Sequence, residues 1–413
     1  MFELCLFDLD DTLVLTSDLD QLRRSALRNT DPDYVRNLQR ALRSRDRYVY
    51  SLALLNEIKR QHPRMRLGVF TRSPRLYAHT VLATCYPGFE WDVLVAYEDV
   101  QNTKPYGDGV HFAMNAVGVR DLERVVLVGD NNADVRSAYH AGCVVALDKT
   151  TWPQQRIAEH WYALEKVPDA LLSRADEVLE FLAAPDAFLP ELERLLATDA
   201  RPVRPLRFDK INHFIPHELG AERPYPIWVA GRSFAGYDSL RLRRGWHVLT
   251  QSIEDNKNSR EFPAEWVQAV RAFIDVHMAP IVGTVDVCVS VVPHRPERIP
   301  RLERFLEQLQ ASLMRYPLSG VRAEICPNLF AYQPDVVSQH LAHLRRVPRF
   351  LNVRDNLYVN NKQPIARGKI FLIIDDVVTT GASLIYATKY LRDAGAEQVF
   401  CLGLAKNISD VIE

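Results

Sequence analysis

The sequence predicts an α/β protein of two doubly wound parallel-sheet domains within 413 residues. Three observations predict it. Short apolar runs recur, each ending in an acidic or hydroxyl-bearing turn before a helix-like stretch, which is the alternation of a parallel sheet with crossover helices. That alternation is interrupted between 184 and 226 by seven prolines (185, 190, 202, 205, 216, 224 and 226) and then resumes. The chain is also longer than one ordinary hydrophobic core serves. The expected division is a first domain at 1–183 with a helical insertion at about 15–60, a proline-rich linker at 184–219, and a second domain at 220–413.

In chain order, the run from Phe2 to Phe7 reads as a strand ending at Asp8. Residues 18–60 read as helical, with Leu22, Leu27, Val35, Leu38, Leu42, Leu52 and Leu55 supplying apolar faces, and Asp31-Pro32 splits them into two helices. Strands follow at 66–70, 92–96, 124–128 and 143–147, and 154–183 reads as helical. A short helix at about 188–198 interrupts the proline-rich stretch. Beyond it, strands are expected at 227–230, 285–292, 370–374 and 399–405, and helices at 264–277, 300–314 and 384–392. No internal repeat or low-complexity tract is evident.

Composition narrows the function classes. The sequence is 47% hydrophobic and 25% charged, as in soluble globular proteins. A net charge of −1 argues against bulk-charge affinity for DNA or membrane. No apolar segment approaches the ~20 residues a membrane helix needs, and the N-terminus opens directly on a strand rather than a signal peptide. Six scattered cysteines without a C-x-x-C pair read as buried free thiols of a reducing cytosol, so a cytoplasmic protein without a membrane partner is expected. An oligomer is compatible with all of this.

The first chemical centre begins at Phe7-Asp8-Leu9-Asp10-Asp11-Thr12-Leu13. Asp8 and Asp10 are two residues apart just past a strand and would point the same way. One carboxylate can attack phosphorus while the other handles the proton. Two anions so close are tolerated around a hard cation, and Mg²⁺ suits oxygen ligands. A second acidic pair, Asp130 and Asp134, follows the strand at 124–128; Thr71 follows another strand, and Lys104 stands in a loop.

These four segments in this order resemble the haloacid-dehalogenase-like (HAD) superfamily, over about residues 1–150 and as far as 183. The resemblance implies a HAD-like Rossmannoid fold with a small helical cap. It implies Asp8 as a nucleophile forming an aspartyl-phosphate and Asp10 as general acid/base. Thr71 and Lys104 would bind the phosphoryl group, with Thr12 beside them, and Asp130 and Asp134 would complete a Mg²⁺ site with Asp8 and the Asp10 backbone carbonyl. The cap carries eight arginines between 23 and 47 against three aspartates. They read either as a solvated helix face or as a receiver for a polyanion, a nucleotide or a nucleic-acid end. Arg40 and Arg43 are the positions where that second reading is tested.

The second centre is Ile370-Phe-Leu-Ile-Ile-Asp375-Asp376-Val-Val-Thr379-Thr380-Gly381-Ala382-Ser383. The turn at 379–383 can offer successive N–H groups and hydroxyls to a phosphate at a helix start, and the acidic pair can accept from two sugar hydroxyls. This segment resembles the phosphoribosyl pyrophosphate (PRPP) signature of type I phosphoribosyltransferases, most like the ComF-like branch, over about 220–413. His294 and Arg295 would then lie in the pyrophosphate loop, and 349–367, with Arg354, would form a mobile hood. The cysteine-rich zinc element of ComF-like chains is missing. Arg241, Arg243 and Arg244, within a stretch (227–262) that carries no base-binding pattern, read as surface or site.

The expected function is therefore bifunctional: Mg²⁺-dependent phosphomonoester hydrolysis on a nucleotide or sugar phosphate, and PRPP-linked phosphoribosyl transfer with pyrophosphate as co-product. Two alternatives stand beside it: a phosphatase of nucleic-acid ends, and a phosphatase regulated by a PRPP-sensing module.

Overall fold

The computed structural model describes residues 1–198, 205–211, 224–236, 238–296, 298–334 and 346–409. They form two compact units. One contains Met1–Phe188 and Ala235–Gly245 with Ser409; the other contains Leu189–Phe234 and Trp246–Ile408. No helix among the described residues is long and apolar enough to cross a membrane.

The first unit is built on six parallel strands: β1 (Leu4–Phe7), β2 (Arg66–Phe70), β3 (Val93–Val95), β4 (Val125–Gly129), β5 (Val144–Asp148) and β6 (Ala170–Leu172). Their order is β3-β2-β1-β4-β5-β6. β1 and β4 are apolar and buried along their whole length, as strands covered on both faces must be. The insertion after β1 folds as α1 (Asp20–Ser25), α2 (Tyr34–Leu42) and α3 (Leu52–Gln61). It is three helices where the sequence suggested two. Leu38, Leu42, Leu55 and Ile58 bury its apolar stripe in the core of the unit, each worth roughly 1.5–3 kcal/mol when fully covered. The crossovers are α4 (Arg75–Cys85), α5 (Asp108–Val117), α6 (Asn132–Ala141), α7 (Ala158–Glu165) and α8 (Glu177–Ala183). The stretch 154–183 is thus not one helical run. β6 divides it, paired on β5 through Ala146 and Ala170, and three residues are too few for periodicity to tell strand from helix.

The stretch 184–219 carries a 3₁₀ turn (Pro185–Phe188), α9 (Glu191–Ala197) and β7 (Asp209–Ile211). Positions 199–204 and 212–219, with Pro202 and Pro216, lie outside the described residues.

The second unit continues with β8 (Ile227–Val229), β9 (Arg232–Phe234), α10 (Arg241–Trp246), α11 (Val248–Asp255), α12 (Ala264–Met278), β10 (Val285–Val291), α13 (Arg301–Arg315), β11 (Val321–Ile325) and β12 (Phe330–Tyr332). It ends with α14 (Arg346–Asn356), β13 (Leu357–Val359), β14 (Ile370–Val378), α15 (Ala382–Asp393) and β15 (Gln398–Ile408). The seven-stranded sheet runs β11-β10-β14-β15-β8-β7, with β9 also on β15. All its pairings are parallel except β7 with β8. β12 and β13 form a separate antiparallel ribbon. α10 through Gly245 is grouped with the first unit, where Arg243 is fully buried, paired with Asp169 and the Cys143 carbonyl and 5.0 Å over the Tyr139 ring. Arg243 is therefore a core anchor, neither a surface arginine nor part of a base site. All six cysteines are buried and unpaired by disulfide.

Candidate active sites

In the first unit, the sheet order brings the chemistry together. β1 is flanked by β2 and β4. Asp8, Thr71 and Asp130 each follow the carboxyl end of one of these three strands, where parallel sheets place ligands. Asp134 belongs to the first turn of α6, held by a capping box in which Asn131 N–H donates to Asp134 Oδ2 at 3.1 Å and Ala133 N–H to Asn131 Oδ1 at 2.8 Å. Gly129 permits this: a Cβ there would sit 2.2 Å from Asp134 Cγ.

Oxygens of Asp8, Asp130 and Asp134 lie within 4.8 Å of one another. Lys104 Nζ, itself buried, donates to Asp8 Oδ1 and Asp134 Oδ1, both at 2.6 Å. Burial first, then repulsion from Asp134 and Asp10 against the pull of Lys104, pushes the Asp8 carboxyl up to about 7. Burial and the neighbouring carboxylates of Asp134 and Asp8 hold Asp130 well above the usual range. Burial alone would lower Lys104, yet Asp134 and Asp8 together hold it above its ordinary value. Thr12 Oγ1 donates to Asp130 Oδ1 at 3.2 Å, so Thr12 steadies an acidic residue in this structure.

Asp10 is held apart from that cluster. Its carboxylate accepts from Thr16 Oγ1 (2.7 Å), Tyr77 OH (3.0 Å) and Ser73 Oγ, with Arg23 at 3.7 Å. Thr71 Oγ1 accepts from the Ser73 N–H at 3.0 Å. After β5, Thr151 Oγ1 and Trp152 Nε1 donate to the carbonyls of Asp11 (2.9 Å) and Asp130 (2.8 Å), tying down both acidic loops. Thr16, Tyr77 and Trp152 carried no signal in the sequence, because each reaches the site from a loop or helix whose approach depends on tertiary packing.

A cavity of about 570 Å³ opens over this cluster, lined by Asp8, Asp10, Thr71, Lys104 and Asp130 and, at its mouth, by Arg23, Arg24, Arg72, Leu27 and Tyr97. Arg40 and Arg43 are exposed and are not among its lining residues, which moves the polyanion question from α2 to α1 and the turn after β2. Arg47 is buried on Asp18, and Arg36 and Arg45 pair with Asp33 and Asp18.

In the second unit, the register Val291↔Ile374 aligns the end of β10 with the residue before Asp375, so the 292–295 turn and the acidic pair share one end of the sheet. Asp375 and Asp376 lie inside β14 rather than past it. Gly381 caps α15 at φ 75°, and a Cβ there would meet Ile227 Cδ1 at 2.7 Å, so both backbone and space require glycine. Thr379 offers its carbonyl to Lys406 Nζ at 2.7 Å, Thr380 Oγ1 accepts from Ala382 N–H at 3.4 Å, and Ser383 Oγ lies 3.4 Å from Tyr332 OH. Arg295 sits 5.5 Å over the Tyr332 ring. Arg301, at the start of α13, pairs with Asp376. Burial pushes the Asp375 carboxyl up to about 7 despite the nearby cations Arg301 and Arg295. His294 is bound to Glu303 through its backbone N–H (2.9 Å) and Nδ1 (2.7 Å). Arg354 stands on α14, and its one ion pair among the described residues is with Asp355 at 2.7 Å. The 349–367 stretch contains the end of α14 and β13.

Two family models match parts of the chain. Residues 20–147 match the haloacid dehalogenase-like hydrolase model, and residues 330–412 match the phosphoribosyl transferase domain model. The chain thus joins a haloacid dehalogenase-like hydrolase domain to a phosphoribosyl transferase domain. It is 33% identical over 92 residues to the pyrophosphatase PpaX of Halalkalibacterium halodurans, covering 22% of this chain and 40% of that protein. It is 32% identical over 109 residues to the validoxylamine A 7'-phosphate phosphatase of Streptomyces hygroscopicus subsp. limoneus, covering 26% and 50%. The chain spans about half the length of the curated relatives it matches. Among solved structures, a haloacid dehalogenase-like hydrolase from Bacteroides fragilis aligns at 21% identity over 43% of this chain and 100% of that one, with a TM-score of 0.33. CbbY from Rhodobacter sphaeroides in complex with phosphate aligns at 21% identity over 43% and 96%, with a TM-score of 0.30.

Proposed function

We propose that the chain is a two-site enzyme that hydrolyses a phosphomonoester at Asp8 with Mg²⁺ and transfers a phosphoribosyl group from PRPP at the 375–383 site. The observation that carries the first half is the cluster of Asp8, Asp130 and Asp134 against the buried Lys104, with Asp8, Asp130 and Lys104 lining the cavity. Three clustered carboxylates, all oxygen donors and partly neutralised by a single lysine, fit a hard divalent cation. Mg²⁺ held by Asp8, Asp130 and Asp134 would supply the positive charge that keeps Asp8 ionised and offsets the phosphoryl oxygens.

The chain's own groups do the rest. Asp8 attacks phosphorus and forms the acyl phosphate, while Asp10 gives its proton to the departing oxygen. Water then attacks the same phosphorus with Asp10 as base, and phosphate leaves. Thr71 and Lys104 hold the phosphoryl oxygens, and the Thr16, Ser73 and Tyr77 hydroxyls keep Asp10 in position. In the second site, Asp375 and Asp376 accept from the ribose hydroxyls and the 379–383 turn anchors the 5-phosphate. The β12–β13 ribbon, through Tyr332 on Ser383, forms one wall beside that anchor.

The phosphatase substrate is a nucleotide or sugar phosphate related to the product of the second site. A second reading, hydrolysis of inorganic pyrophosphate released by the transfer, is favoured by the arginines at the cavity mouth and by two relatives named as pyrophosphatases. Phosphorus NMR of the purified chain with PRPP, Mg²⁺ and a panel of bases separates them. Nucleoside plus phosphate supports the first reading, and nucleotide with pyrophosphate converted to phosphate supports the second. If Asp8→Asn releases phosphate at the wild-type rate, the assignment of the hydrolytic site is wrong.

A further inference from the structure

β11 is the outermost strand of the seven-stranded sheet, and among the described residues no strand pairs with its far side. An edge strand presents a row of backbone donors and acceptors that another strand can take up. The Val285 N–H donates to the Gly320 carbonyl at 2.9 Å and the Cys326 N–H to the Val289 carbonyl at 2.8 Å, so the even-numbered residues of this segment turn their backbone groups toward β10. With a period of two, Val321, Ala323 and Ile325 turn theirs outward.

The side chains alternate as well. Val321, Ala323 and Ile325 lie on the α13 side and, with Leu313, Met314 and Leu318, line an apolar groove of about 200 Å³. Met314 is 75% exposed there. Arg322 and Glu324 stand on the opposite face and are exposed, Arg322 at 2.7 Å from Asp286 and Glu324 at 2.6 Å from Lys369.

Both alternations are self-complementary. A second β11 laid antiparallel about a two-fold axis at Ala323 sets Ala323 on its own copy and Val321 on Ile325, and in each case outward backbone groups meet. The same axis sets Arg322 opposite Glu324 of the second copy, at positions where antiparallel side chains come closest. Asp286, Arg322, Glu324 of the second copy and Lys369 of the second copy then form a row of alternating sign. Sliding the pairing by two residues instead places Arg322 on Arg322 or Glu324 on Glu324, like charges that oppose it. The axis stands perpendicular to the sheet, so the two apolar grooves fall on one face and join. We infer that β11 is a homodimer interface, pairing antiparallel with β11 of a second copy about Ala323. The occupant is a second copy because the charge order of the strand is the complement of its own reverse.

The test is sedimentation velocity of the full-length chain over a range of concentrations. The wild-type chain moves to twice the mass of one chain as its concentration rises to about 100 μM. Arg322→Glu and Glu324→Arg each set like charges across the axis and weaken dimerisation by about tenfold or more. Mixed in equal amounts, these two variants recover the dimer, because each meets in the other the charge it lacks. Ala323→Pro, whose missing N–H points away from β10, abolishes the dimer without breaking a bond inside the sheet. If that variant fails to fold, the mixing experiment still decides. A wild-type chain that stays monomeric throughout overturns the inference, and so does a mixture that dimerises no better than its components. A dimer that all three variants leave intact belongs to another face and overturns it too.

Discussion

Replacing Arg243 by methionine tests whether the first unit depends on a peptide that the sequence places far beyond its own strands. The guanidinium is 0% exposed and its partner Asp169 7% exposed. It pairs with Asp169 and the Cys143 carbonyl, while Asp169 Oδ2 also accepts from the Val145 N–H at 2.8 Å. Methionine fills most of the volume but removes the ion pair that Arg243 makes with the buried Asp169 carboxylate and the donor it gives the Cys143 carbonyl. Breaking a buried pair from one side costs roughly 3–5 kcal/mol, a large share of the 5–15 kcal/mol typical of a domain. At about 1.36 kcal/mol per decade, amide protection in β5 should fall roughly 10²- to 10⁴-fold. Hydrogen exchange read by mass spectrometry over 144–148 measures this without assuming that two units unfold together. The double variant Arg243→Met/Asp169→Asn should recover part of the loss, because the amide oxygen still serves Val145 and no charge is stranded. A fragment ending at Phe188 should show the same weakness as Arg243→Met. If protection in β5 changes by less than about fivefold, equivalent to under ~1 kcal/mol, Arg243 does not anchor the unit.

Three other outcomes follow from the site geometry. Because Asp10 is also the base of the second step, the test reads the first step alone: Asp10→Asn should slow single-turnover cleavage of alkyl phosphates by about 10²–10⁴-fold and the burst release of nitrophenolate from p-nitrophenyl phosphate much less, since nitrophenolate leaves without a proton. Equal losses in these two first-step rates would remove Asp10 as the acid. Arg24→Gln and Arg72→Gln should each raise KM for pyrophosphate or a sugar bisphosphate relative to p-nitrophenyl phosphate by roughly tenfold, whereas Arg40→Glu and Arg43→Glu, outside the cavity lining, should change that ratio less than about twofold; the reverse pattern in steady-state kinetics would return the polyanion site to α2. The Asp375 carboxyl, pushed up to about 7 by burial against the pull of Arg301 and Arg295, accepts a ribose hydroxyl more strongly when ionised, so PRPP affinity should rise between about pH 6 and about pH 8, and Asp375→Asn should flatten that part of the profile. For the free protein the sign is opposite: a carboxyl raised in the folded state contributes stability that is present below its ordinary value and lost as pH rises through about 7.

Both candidate centres were legible because the sequence writes them as an apolar run followed by a polar turn. β1, β4 and β14 are continuous buried runs, and in a parallel sheet the residues at their carboxyl ends converge whatever the loops do. What stayed hidden were arginines. Arg243 and Arg301 stand in unremarkable helical contexts, and only tertiary packing brings Asp169 to one and Asp376 to the other. In the cap the sequence left a solvated face and a polyanion receiver open for all eight arginines together; the fold separates them, burying Arg47 on Asp18 and bringing Arg23 and Arg24 to the cavity lining. The short strands β6, β9, β12 and β13, three residues each, are fixed by their partners rather than by their own pattern.

The two acidic sites solve the problem of adjacent carboxylates in opposite ways, and the difference bears on what each can bind. In the first, three clustered carboxylates face one lysine, and Asp10 is left to hydroxyls and a more distant Arg23. Positive charge is short by about two units, which is what a divalent cation supplies, and a phosphoryl group can then enter as an anion drawn to metal and lysine. In the second, Asp375 and Asp376 face Arg295 and Arg301, and charge is already balanced. A ligand that brings both hydrogen-bond donors for the carboxylates and an anion for the arginines strands neither kind of charge there, and the proposed phosphoribosyl substrate is of that kind.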